Sequence, residues 1–134
     1  MPDANDTQVG GTHYQSYYQP WDLTYDLFGG DFLLGNCNKY ITRWRFKAGL
    51  VDLRKARHYI EKALEMQDAG RMPHRIVKSK ETIGVIVEHY GTANKLAFDE
   101  VIALRALALD DFEGALLEVQ RMIDSEERRI ATLL

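Results

Sequence analysis

Residues 35–60 read GNCNKYITRWRFKAGLVDLRKARHYI, and the fold turns on how this stretch is read. It predicts two helices joined by a tight corner. Asn36, Lys39, Tyr40, Arg43 and Lys47 recur at helical spacing, which places all five on one face. Leu33, Cys37, Ile41 and Trp44 form a second, apolar stripe directed at a core. Gly49 suits the left-handed backbone that commonly ends a helix. Asp52 falls near the start of the next helix, where exposed N–H groups favour a carboxylate. Leu53, Ala56, Ile60 and Leu64 give that helix its apolar stripe.

The same stretch is basic in an acidic chain. From Asp31 to Lys62 there are eight Lys or Arg and three acids, a net of +5, whereas the 134-residue chain carries −3. From Asp99 to Leu134 there are nine acids and four Arg, a net of −5. The C-terminal half is thus an acidic helical pair, complementary to the basic hairpin within one subunit or between subunits. A local positive excess points to an anion site; a solvated helix face is the ordinary alternative. The overall charge argues against general binding of DNA, RNA or a membrane surface.

Length predicts one compact domain, with a core large enough to dispense with disulfide or metal staples. The lone cysteine, Cys37, cannot form an internal disulfide, which fits a reducing compartment. No apolar run approaches the ~20 residues that span a bilayer, and the N-terminus lacks an apolar signal core. A cytoplasmic location is expected.

In chain order, residues 1–10 predict a flexible arm, 11–69 the hairpin region, and 70–134 a helical region for packing or oligomerisation. Asp22–Phe28 predicts a short helix ended by Gly29 and Gly30. Helices of about 31–47 and 51–69 follow, then a linker at Met72–Lys80. Ser79 is positioned to cap a helix with Ile83, Ile86, Val87 and Tyr90, and Gly91 is its end signal. Asn94 or Thr92 opens a helix bearing Ala97, Val101, Leu104 and Ala108. Asp110 and Glu113 resemble a capping box before a last helix with Phe112, Leu116, Val119, Ile123 and Ile130. The expected fold is all-α with about five main helices. Leu104, Leu107, Leu109, Leu116 and Leu117 lie on more than one side of their helices, which predicts a homo-oligomer.

Chemistry concentrates at the N-terminal half. Lys39, Arg43 and Lys47 present charge-assisted donors suited to phosphate oxygens. Asn36 offers a contact for a base or ribose. His13 follows Gly10-Gly11-Thr12, glycines that allow close backbone approach, and His can donate to phosphate or move a proton. Tyr14 and Trp21 suit stacking on a base or filling a core. His58, His74 and His89 lack ligand spacing. Gly30 and Gly35 have the glycine spacing of a P-loop, but Asn36 and Cys37 stand where Lys and Ser/Thr are required. The carboxylate pairs Glu61/Glu65 and Asp124/Glu127 sit among solvated charges, and one Cys with scattered His makes no zinc site. No metal ligand is assigned.

GGTHY, then YxQPWD, then GNxxKYxxRxxxKxGxxDLxKAxxY resembles the SaV-like domain of small tailed-phage proteins, over about residues 10–66. That family includes a phage kinase of deoxynucleoside monophosphates. The resemblance implies a nucleotide-binding enzyme that moves a phosphoryl group from ATP or another nucleoside triphosphate to a deoxynucleoside monophosphate, in the host cytoplasm. It implies catalytic roles for Arg43, Lys47 and His13. Nucleotide contacts would come from Asn36, Lys39, Tyr40, Arg43, Lys47, Asp52, Lys55, Tyr14 and Trp21. Asp52 would hold Arg43 or Lys47 in place. The resemblance leaves the use of a divalent metal open. Asn38 and Arg57-His58 depart from the family pattern, with expected effects on the helix-pair surface or an oligomer contact. A non-catalytic protein that binds or sequesters nucleotides, and a helical interaction protein, are the alternatives. Arg43, off the apolar stripe, is expected to matter for ligand and little for stability.

Removing residues 1–14 should leave a helical core by circular dichroism and greatly reduce kinase activity. Full activity of the truncated protein would retire His13 as a site residue.

Overall fold

A computed structural model describes residues 17–28, 31–71 and 78–134. It is 78% helical, without strands among those residues. The arm at 1–10, His13, Tyr14, the Gly29-Gly30 stop, His74 and most of the linker lie outside the described residues. Among the described residues there are six helices: α1 (Pro20–Phe28), α2 (Phe32–Arg43), α3 (Leu50–Asp68), α4 (Lys80–Ala93), α5 (Phe98–Ala108) and α6 (Phe112–Thr132).

Four of them close a ring. α2 packs on α3, α3 on α6, α6 on α5, and α5 returns to α2. α1 attaches to α2 and α4 to α5. The core fills from the expected stripes: Cys37 and Ile41 of α2, Leu53, Ala56 and Ile60 of α3, and Val119 and Ile123 of α6 are all fully buried. Each large aliphatic side chain so buried contributes about 1.5–3 kcal/mol. α6 runs antiparallel to α3, since Arg54 reaches Glu127 near the start of α3 and Gln67 reaches the Asp110 carbonyl near its end. The acidic half therefore packs on the basic hairpin within the chain.

Several boundaries differ from expectation. α2 ends at Arg43, four residues early, and residues 44–49 form turns. Gly49 has φ 58° and ψ −126° and opens α3 as its N-cap. Asp111, not Asp110, caps α6 by accepting from the Gly114 N–H at 3.0 Å. Asp110 instead takes a positive φ of 61° in the turn before it. α5 begins after Ala97, beyond Thr92 and Asn94, which are consumed by the end of α4. Ser79 does cap α4, accepting from the Thr82 N–H at 3.1 Å. Gly91 does not end α4 but is buried within it. A Cβ there would lie 2.8 Å from Val101 Cγ2, so Gly91 serves the close approach of α4 to α5.

Leu104 and Leu107 are fully buried inside this chain, so they supply no surface for a second copy. Leu117 is 55% exposed and is the leucine of that set left uncovered.

Two polar ties reinforce the bundle. Buried Asn38 donates to the Pro20 carbonyl at 2.9 Å, and Thr42 lies 3.2 Å from Asn38 Oδ1 and 2.6 Å from the Tyr90 hydroxyl. This chain of contacts joins α1, α2 and α4. Asn38 is thus an interior fastener, not part of a helix-pair surface. The second tie is Glu100, which accepts from Trp44 Nε1 at 2.6 Å, Arg45 Nη2 at 2.7 Å and the Ala97 N–H at 2.6 Å. Burial pushes its carboxyl above the usual range, opposed by those three donors.

Gly49→Ala should destabilise the fold by about 1–3 kcal/mol, because this φ and ψ pair is open to glycine almost alone. No atom lies within 4 Å of the added Cβ, so the cost is backbone strain without a clash. Urea denaturation tests it; an unchanged midpoint would contradict the assigned backbone.

Candidate functional site

The hairpin gathers cations around one ring. Lys39 and Arg43 rise from α2 and Lys55 from α3. Lys39 Nζ lies 5.5 Å, Arg43 Cζ 4.9 Å and Lys55 Nζ 5.5 Å from the Tyr40 ring centroid. Tyr40 was placed on the polar face by its spacing, yet its ring is buried beneath these cations. On its α3 side Tyr59 stacks at 5.9 Å and 25°. Phe32 meets the edge of Tyr59 at 5.9 Å and 72°.

Beneath the cluster, Arg43 and Asp52 form a two-point pair. Nε donates to Oδ2 at 3.1 Å and Nη2 to Oδ1 at 3.2 Å. Asp52 is completely buried and also accepts from the Ala48 N–H at 3.4 Å. Its place in the first turn of α3 adds the helix dipole. Asp52 therefore holds Arg43 in place, as expected. Arg43 is only 14% exposed, however, and is the ionic partner of a buried carboxylate. The expectation that it matters little for stability is corrected: removing it strands a buried charge.

Lys39, Lys47 and Lys55 form no ion pair among the described residues. The Lys39 ammonium sits below the usual lysine range, first because it is partly desolvated and then because Arg43 stands beside it. Three cations and one carboxylate leave the cluster a net charge of +2. A phosphomonoester carries about −1.5 to −2 at neutral pH, so the cluster matches it closely in charge.

The other sequence candidates distribute differently. Asn36 lies one turn before Tyr40, its amide donating to the Phe32 carbonyl at 2.8 Å. Lys47 is not on the α2 helix. It sits in the turn after it and borders a surface groove of about 490 Å³ with Trp44, Arg45, Gly49, Glu126 and Arg129. Trp21 stands on α1 and is 56% exposed, while the ring stacked on Tyr40 is Tyr59, with Phe32 against Tyr59. His13 and Tyr14 lie outside the described residues. Phe32 was missed because a helix-opening aromatic before Gly35 carries no charge signal. Its i, i+4 relation to Asn36 was the available clue.

Cys37 is buried, and burial pushes its thiol well above the ordinary range, which keeps it inert. Glu61 pairs with Arg57, Glu65 with Lys62 and Glu127 with Arg54, while Asp124 accepts from the Gln120 amide at 2.9 Å, so each carboxylate considered from sequence has its own partner. Among the described residues no group of three or more His, Cys, Asp or Glu could hold a metal ion. No helix among them is long and apolar enough to cross a membrane.

Arg43→Ala should cost about 3–5 kcal/mol of stability through the orphaned Asp52. Adding Asp52→Ala should recover part of that loss, because the two residues are coupled. Additive losses in a double-mutant cycle measured by chemical denaturation would show that the pair contributes nothing as a pair.

Residues 10–61 match the model of a family described as a protein of unknown function, DUF3310. The matched segment holds α1, α2 and the first half of α3, and with them the entire cation cluster. No curated protein and no solved structure matches the chain.

Proposed function

We propose that this protein binds nucleotides through their phosphates at the Tyr40 cluster and acts as a deoxynucleoside monophosphate kinase. The observation that carries the reading is the convergence of Lys39, Arg43 and Lys55 on one buried ring. Like charges are held together there at an electrostatic cost, and the Lys39 ammonium lies below the usual lysine range, first through partial burial and then through Arg43 beside it. A phosphate dianion relieves that cost. The resemblance of this segment to the SaV-like domain supplies the reaction class.

The donor set fits a phosphate. Arg43 is fixed by Asp52, so its position does not have to be bought from the ligand's binding energy. Lys39 and Lys55 approach from two different helices and can neutralise oxygens from two sides. ATP or another nucleoside triphosphate would supply the transferred phosphoryl group. The chain's own cations would position the acceptor phosphate and stabilise charge as it shifts. Lys47 and, from the arm, His13 would add donors at the periphery. A protein that only binds or sequesters nucleotides needs the same cluster, and catalysis separates the two.

The proposal places the protein in the cytoplasm of a host cell. It includes a homo-oligomer, for which Val85 of α4, Phe98 of α5 and Leu117 of α6 are exposed apolar side chains open to a second copy.

The purified protein, incubated with ATP and a panel of deoxynucleoside monophosphates, should form a deoxynucleoside diphosphate. Lys39→Ala and Lys55→Ala should each weaken nucleotide binding by about 1.5–3 kcal/mol, the range for hydrogen bonds to charged groups. Their stability should change by no more than about 1 kcal/mol, because neither lysine has an ion-pair partner among the described residues and each loses only a surface contact with the Tyr40 ring. Binding without product would leave the sequestering reading. No saturable binding by calorimetry would overturn both.

A further inference from the structure

We infer that Phe32, buttressed by the edge contact with Tyr59, is the shelf on which the nucleobase stacks, and that the nucleotide lies across the α2–α3 surface from Phe32 to the cations. This rests on the nucleotide reading above and assigns its base subsite.

Three observations converge on it. Phe32 is 70% exposed although it is a large aromatic at the start of a helix whose next apolar residues, Leu33, Leu34 and Cys37, are partly or fully buried. It is not an isolated surface ring: its contact with Tyr59, and the stack of Tyr59 on Tyr40, make a continuous aromatic path to the cations. The direction of that path also suits a nucleotide. Lys39 lies seven residues beyond Phe32, about 10 Å along a helix at 1.5 Å per residue. That is comparable to the reach from a base to its phosphates.

Asn36 stands between the two ends. Its amide nitrogen is identified by its partner, since the Phe32 carbonyl can only accept. The orientation leaves Oδ1 as an acceptor one turn from Phe32. A base or sugar donor on the stacked ligand would meet it there. Exposed Phe32 and buried Tyr40 with its cations give this surface an apolar end and a charged end. A free phosphate needs only the second end, and a nucleotide uses both.

The test compares two probes on the full-length protein: a deoxynucleoside monophosphate and inorganic pyrophosphate. Phe32→Ala should weaken the deoxynucleotide on the order of tenfold or more, the usual effect of removing a stacked ring. It should leave pyrophosphate affinity unchanged, and Phe32→Trp should restore deoxynucleotide affinity. Phe32 is exposed, so its truncation is compatible with folding, and circular dichroism checks this. Unchanged deoxynucleotide affinity in Phe32→Ala would overturn the shelf and leave the phosphate site standing. Equal losses for both probes would show a structural role and overturn it too. A wild-type protein that binds neither probe would remove the nucleotide reading itself, and the shelf with it.

Discussion

The bidentate pair between Arg43 and Asp52 is the constraint on which the hairpin depends. Asp52 has no exposure to water, and a buried carboxylate without a partner is strongly unfavourable. Arg43 ends α2 and Asp52 sits in the first turn of α3, so the pair fixes how the two helices leave the corner. The turn between them is closed by Gly49, whose backbone is open to almost no other residue. The same pair holds the guanidinium against Tyr40, beside Lys39 and Lys55. Folding and the proposed binding chemistry therefore share one interaction. This explains why an arginine that looks like a ligand contact also stabilises the protein.

The rest of the bundle secures that hairpin from the other side. Glu100 draws Trp44 and Arg45, immediately after Arg43, onto the start of α5. Asn38 and Thr42 tie the opposite side of α2 to α1 and α4. α2 is thus held by polar contacts on its buried face, while Lys39, Arg43 and the aromatic path remain on the other. The charge asymmetry of the chain serves this arrangement. Arg45 pairs with Glu100 and Arg54 with Glu127, so part of the basic excess is neutralised internally by the acidic helices. Lys39 and Lys55 are left outside that neutralisation, and this makes their cluster distinctive.

The helical class and most of the core could be read in advance, because apolar residues at Cys37, Ile41, Leu53, Ala56 and Ile60 recur with helical period over long segments. The basic face was legible for the same reason. What escaped was set by tertiary context. The end of α2 at Arg43 comes from turn geometry and from Asp52 capturing the guanidinium, neither of which has a periodic signature. Lys47 consequently left the face on which spacing had placed it. Asn38 read as a surface departure, but its partners are 18 residues earlier and, through Thr42, on α4. Leu104 and Leu107 suggested a subunit contact because one helix cannot show that two neighbours cover it. Phe32 became informative only when Tyr59 was seen beside it.

The central claim is that Lys39, Arg43 and Lys55 form a strained positive cluster that a phosphate relieves. NMR titration of the lysine side-chain resonances, with and without inorganic pyrophosphate, tests it most directly. In the free protein Lys39 should titrate below ordinary lysines, because partial burial and Arg43 disfavour its charge. Pyrophosphate should raise its pKa, because an anion favours the protonated ammonium. A normal Lys39 pKa that does not move when pyrophosphate is added would contradict the account.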